Sequence, residues 1–270
     1  MLDDADPIER GCERLNDDAV NRRWEREQAL LGLAQDTPGG EFAAGGLGAL
    51  AVDPTVRIVV LAGDLSAQPI PAKEPTAVVP QGITLPSGRQ LSNHGTVRGT
   101  SSGYVGYTPT GDDGRWRSFT AVHWHGGVDF FLGEEGGRAW DFAPGSRDRV
   151  FFLLKCVGWA WGAFDLQRQL VERFAVAGPF RAILGVANTA GAVLGQLGAG
   201  WAEPGSSSLF RPTAVEPRVL LLEDLPEWPD EKGAEELALR FGARLDLAFG
   251  GPGDRHLDQA GPEAGRFNPR

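Results

Sequence analysis

Cysteine, lysine and long apolar runs are all scarce in this chain, and each shortage removes a class of protein. Among 270 residues there are two cysteines, Cys12 and Cys156. That is too few for a disulfide framework, so a reducing, cytoplasmic setting is expected. Cys156 lies in an apolar stretch, where a thiol behaves as a small hydrophobe. Lysine occurs only at Lys73, Lys155 and Lys232, and the 26 basic residues are outnumbered by 36 acidic ones for a net charge of −10. An average field of that sign repels phosphate, which disfavours a nucleic-acid partner. The longest apolar run, residues 150–164, is broken by Lys155 and falls short of the roughly 20 residues a bilayer requires, so no membrane partner is expected. The opening Met1-Leu-Asp-Asp-Ala-Asp is too acidic for a secretory signal.

What remains is a soluble composition, 41% hydrophobic and 23% charged, long enough for one large domain or one domain with an extension. Three stretches stand out. Residues 1–65 hold a helix by propensity (17–35) and a strong strand (56–62). Residues 66–90 form a connector rich in proline, with Pro69, Pro71, Pro75, Pro80 and Pro86. Residues 91–270 make the main domain.

Within that domain, residues 118–125 alternate apolar and polar, Gly126-Gly127 supplies a two-residue turn, and residues 128–132 return as the second strand of a hairpin. Residues 149–174 begin apolar and become periodic: Leu166, Leu170 and Phe174 share one face, Asp165, Arg168, Gln169, Glu172 and Arg173 the other. Strands follow at 180–187 and 219–222, and Pro229-Asp230 opens a last helix, 231–249. The expected fold class is α+β or α/β: a mixed β-sheet with a long central amphipathic helix and a C-terminal helix packed on it, both on one face. Trp159 continues the stripe of Ala163, Leu166 and Leu170 and should be buried. Trp161, about 200° away around the helix, should be less so.

Four patterns could carry chemistry. His123 and His125 lie two apart on one strand and share a face; with Asp129 or Glu134 across the hairpin they could seed a His/carboxylate metal site. The competing reading is two rings packed beside Phe119. Gly99-Thr-Ser-Ser-Gly103 matches a nucleophile pattern with Ser101 at its centre and Asp254 and His256 downstream. That motif needs a helix after the serine, whereas Tyr104 to Pro109 reads as strand and turn. Gly191, Gly195, Gly198 and Gly200 follow a strand but match no phosphate-binding fingerprint. The acids from Glu223 to Glu236 could hold a metal or simply complement a helix N-terminus.

The eight tryptophans give the signal that favours function over packing. Trp116, Trp140 and Trp228 fall in loops or at element ends, beside Arg115, Arg138 and acidic residues. Amphipathic aromatics so placed are what protein interfaces use as anchors.

The run Arg117-Ser-Phe-Thr-Ala-Val-His-Trp-His-Gly-Gly-Val-Asp-Phe130, together with Gly178-Pro-Phe-Arg, Gly191-Ala-Val-Leu-Gly195 and Gly200-Trp-Ala-Glu-Pro204, resembles part of a known group. It looks like the C-terminal region of actinobacterial proteins whose N-terminal part is a Schlafen/AlbA-type nucleic-acid-binding or ATP-binding domain. The likeness spans residues 81–270 and consists of short Gly/Trp punctuation. It implies an accessory α/β module in a bacterial multidomain or defence-related assembly. Residues 1–80 depart from the pattern, lacking the charged signature of the Schlafen domain, so no catalytic residue carries over. The reading is a non-enzymatic interaction or regulatory module with a protein partner and no cofactor. The alternative is a metal-dependent or serine hydrolase-like enzyme using His123 and His125, or Ser101.

Overall fold

The fold was obtained as a computed structural model, which describes residues 55–63, 67–72, 78–79, 96–99, 103–109, 116–132, 150–187, 193–195 and 218–254. The expected helix at 17–35 lies outside them. The strands are β1 (Thr55–Ala62), β2 (Thr96–Gly99), β3 (Gly103–Pro109), β4 (Trp116–His123), β5 (Val128–Leu132), β6 (Val150–Phe152), β7 (Phe180–Ala187), β8 (Val193–Gly195) and β9 (Arg218–Leu225). The helices are α1 (Leu153–Phe174) and α2 (Glu231–Ala248). Seven strands form one sheet in the order β2-β3-β4-β5-β1-β7-β9, and every neighbouring pair in it is antiparallel. The architecture is α+β. The expected mixed sheet is corrected: among the described residues, parallel pairing is confined to the short β6–β8 pair. β1 lies between β5 and β7, so the sheet draws on residues from both sides of the connector.

Alternation decides which side chains meet the helices. Val56, Ile58, Val60 and Ala62 of β1 join Val122, Val128, Phe130, Phe180, Ala182, Leu184 and Val186 in one core cluster with both helices. Residues one position out of phase, among them Arg57, Asp129 and Phe131, face the other side. Ile70, Val78 and Val79, from within the connector, are buried in the same core.

α1 starts later than the sequence pattern places it. Val150, Phe151 and Phe152 pair with β8 instead, and β-branched and aromatic residues suit that extended geometry. From Cys156 to Gln167 only Trp161 of α1 is not fully buried. A helix buried on nearly every side needs cover on every side; the sheet and α2 supply part of it. Gly158, Ala160, Gly162 and Ala163 keep that stretch slim enough for close approach. α2 presents Ala234, Leu237, Ala238, Phe241 and Leu245, an i, i+3, i+4, i+7 stripe. Phe241 meets Phe164 of α1 edge-on at 5.7 Å. The Asp230 carboxylate caps α2 by accepting the Gly233 N–H at 2.8 Å, satisfying one orphan donor of the first turn. No helix among the described residues is long and apolar enough to cross a membrane.

Candidate functional site

The hairpin that carries the histidines closes differently from the two-residue turn expected. His123 ends β4, and residues 124–126 form a three-residue loop. The His123 N–H donates to the Gly127 carbonyl at 2.9 Å, and the Gly126 N–H to the His123 carbonyl at 2.8 Å. Gly126 sits at φ +90°, and a Cβ there would fall 2.5 Å from Val176, so this position accepts only glycine. His125 therefore leaves the strand. Its ring stacks on that of His123, with centroids 5.2 Å apart and planes 3° apart.

That arrangement bears on the expected metal site at His123, His125 and Asp129. Lone pairs of a ring nitrogen lie in the ring plane, so two stacked, parallel imidazoles do not aim at one point. The third ligand is committed elsewhere. Asp129 takes a bidentate interaction from Arg57, Nε to Oδ1 at 3.0 Å and Nη2 to Oδ2 at 2.6 Å. Across the sheet, Val59 is the residue opposite Asp129, which sets Arg57 diagonally beside it on the same face. The Arg57 guanidinium also lies 5.7 Å from the Phe119 ring centroid, and Phe119 stacks on Phe131. Burial pushes the Asp129 carboxyl up, while the Arg57 charge and hydrogen bonds oppose that shift. Among the described residues, no three His, Cys, Asp or Glu side chains gather as a metal site.

His125 is held neutral. Burial lowers its pKa to about 4, because an imidazolium there would be desolvated. Its Nδ1 accepts the Gly127 N–H at 3.3 Å, which assigns the proton to Nε2. Gln167 of α1 locks the same loop by donating to the Gly126 carbonyl at 2.9 Å. Sequence reasoning missed that contact, although Gln167 is a lone polar side chain on the buried face of α1, at i+3 from Phe164 and i+4 from Ala163. Arg57 and Asp129 did leave a signal: each is a single charge inside an apolar strand, an arrangement tolerated only when the two meet.

Trp228 is a correction. Far from rimming an exposed surface, its indole is buried, donates Nε1–H to the Phe164 carbonyl at 3.1 Å, and packs edge-on against Phe164 and Phe180. An amphipathic ring with an internal acceptor has no need of a partner protein. Trp116 lies in β4; Arg115, Trp140, Ser101, Glu134 and His256 fall outside the described residues. Trp159 is buried and Trp161 is partly buried against the core. The acidic stretch is structural where it is described: Glu223 pairs with Arg240 and Asp224 with Arg181, and Asp230 caps α2.

One surface does stand out. The exposed large hydrophobics among the described residues are Leu222, at 43%, and Leu247, at 57%. Leu222 is on β9, the end strand of the sheet among the described residues. Leu247 falls on α2 in phase with Arg240 and Arg244, at i+7 and i+3. Those two arginines reach β9: Arg240 to the Glu223 carboxylate and Arg244 to the Leu222 carbonyl, the latter at 3.4 Å. Val219 and Leu221 of β9 join the core beneath the helices, so Leu222, one position out of phase, faces the other side of the sheet. Arg240, Arg244 and Leu247 lie on the helix side, and the two exposed leucines flank the β9–α2 edge from opposite faces. No protein-family model, curated protein or solved structure matches this chain.

Proposed function

We propose that the chain is a non-enzymatic interaction or regulatory module that binds a protein partner along the β9–α2 edge. The observation carrying this reading is the exposure of Leu222 on β9, the end strand of the sheet among the described residues, with Leu247 exposed on the helix side of the same edge. Edge strands expose unpaired backbone groups and are routes for partner addition, and exposed apolar side chains rimmed by charge mark association surfaces. The polar groups of the hairpin support it from the other direction. Asp129 is spent on Arg57, and His125 is a neutral, buried acceptor for the Gly127 amide. Asp129 is thereby not free to act as a base or ligand, and the Nδ1 lone pair of His125 is occupied. The sequence likeness to a region following Schlafen/AlbA-type domains supports a place as an accessory module in a larger, defence-related assembly.

The test is capture from the native host by the tagged chain and by Leu222→Asp/Leu247→Asp. Both positions are exposed, so the double variant should keep the wild-type circular dichroism spectrum and melting temperature. It should retrieve at least about tenfold less partner, as expected when anchor contacts are lost. Equal retrieval by the folded variant would place the partner elsewhere.

A further inference from the structure

β9 has a charge order that selects its own occupant. It reads Arg218-Val-Leu-Leu-Leu-Glu-Asp-Leu225, with a cation at its start, four apolar residues, then two anions. On one side it pairs with β7, and its other side carries no further strand among the described residues. Building on the reading of the β9–α2 edge given above, we propose that the partner seated there is a second copy of this chain. The two β9 strands would run antiparallel across a two-fold axis, continuing the sheet from one copy into the next.

The register follows from parity and charge. Residues opposite each other in an antiparallel pair share a face, so the axis must pass through a residue pair that keeps even positions opposite even ones. Centring it on Leu221 sets position 218 opposite 224, 220 opposite 222, and 219 opposite 223, each twice by symmetry. Both cationic ends then meet anionic ends, and Leu222 gains an apolar position across from it. Directly opposite charges of unlike sign stabilise an antiparallel pair, and like charges destabilise it.

Asp224 can serve this contact without abandoning its own. It lies opposite Arg181 on β7 and accepts from it, yet its side chain remains 70% exposed. A guanidinium from the second copy would extend an alternating ladder across three strands. The contact of Arg244 with the Leu222 carbonyl is long at 3.4 Å and exposed, so a backbone N–H from an added strand can replace it. An unrelated extended peptide would gain the same backbone bonds but would have no reason to carry this reversed charge order.

Sedimentation equilibrium of the purified full chain over a wide concentration range tests this. Wild type should dimerise. Arg218→Glu alone and Asp224→Arg alone each place two like-charge pairs across the axis and should raise the dissociation constant at least about tenfold. An equimolar mixture of the two variants restores opposite signs at all four positions across the axis and should dimerise at least about tenfold more tightly than either variant alone. Leu222→Asp, which leaves the charge pairs intact, should also weaken the dimer. A wild type that stays monomeric, a dimer indifferent to these changes, or no recovery in the mixture would overturn the second copy as occupant. If the chain is monomeric but a different protein is captured through Leu222 and Leu247, the homotypic pairing fails while the edge remains the binding surface. If nothing is captured either, both fail.

Discussion

The Arg57–Asp129 pair yields the sharpest energetic prediction. Arg57 is 3% exposed and Asp129 0%, and both carboxylate oxygens are bound at 3.0 and 2.6 Å. Replacing Asp129 with leucine leaves a guanidinium without its counter-charge in the interior. Replacing Arg57 with methionine strands a carboxylate that burial already pushes towards protonation. Breaking a buried pair from one side costs about 3–5 kcal/mol, whereas replacing both partners with apolar residues of similar volume is often neutral or stabilising. Each single variant should therefore lose about 3–5 kcal/mol, or about 10 °C in melting temperature for a domain of this size. The double variant Arg57→Met/Asp129→Leu should lie within about 1 kcal/mol of wild type. Urea denaturation of the four proteins gives the coupling directly. Single losses below about 1 kcal/mol, or a double variant as costly as the sum, would show that the pair is not the desolvated, mutually dependent unit described.

Other expectations follow from the same geometry. His125 has a folded pKa near 4 against 6.5 for the free side chain. Between those values the unfolded chain binds a proton the folded chain refuses, so stability falls as pH drops, by about 1.4 kcal/mol per unit and about 3 kcal/mol in all. Above pH 6.5 His125 contributes no slope; denaturation titrations of wild type and His125→Gln should diverge only inside that window, and parallel curves would contradict its neutral burial. Cys156 is fully buried and its thiol is pushed up by desolvation, so in a Cys12→Ser background it should resist a thiol reagent until the protein unfolds. Rapid labelling under native conditions would place α1 outside the core. Trp228→Ala should cost about 3–5 kcal/mol of stability without loss of partner capture; the reverse pattern would restore Trp228 as an anchor.

Much of the fold was legible from periodicity. β1, β5 and β7 are apolar runs bounded by Gly, Asp and Pro, and α2 announces itself through Asp230 and its i, i+3, i+4, i+7 stripe. Periodicity is a local property, so it did not show that Val59 lies opposite Asp129 or Ile183, and the antiparallel arrangement of the whole sheet stayed hidden. The start of α1 was misplaced for a related reason: Val150-Phe-Phe152 suits either element, and pairing with distant β8 decides. Trp228 was misread because a position at an element's end says nothing of the Phe164 carbonyl waiting for its N–H. Leu222 gave no warning at all. In the sequence it belongs to an unbroken apolar run; alternation turns it away from the helix side, where its neighbour Leu221 is buried, and the place of β9 at the end of the described sheet leaves it exposed.

The claim that the β9–α2 edge is the functional surface is tested most directly by photo-crosslinking from within it. A photoreactive residue at Leu222 or Leu247 should form a covalent adduct with the bound partner under native conditions. The same probe at Gln68, an exposed position on the segment whose Ile70 amide meets the β4–β5 turn, should form none. Adducts from both leucine positions and not from Gln68 are what the edge account predicts. Adducts from Gln68 alone, or none from either leucine while the chain is demonstrably partner-bound, would contradict it.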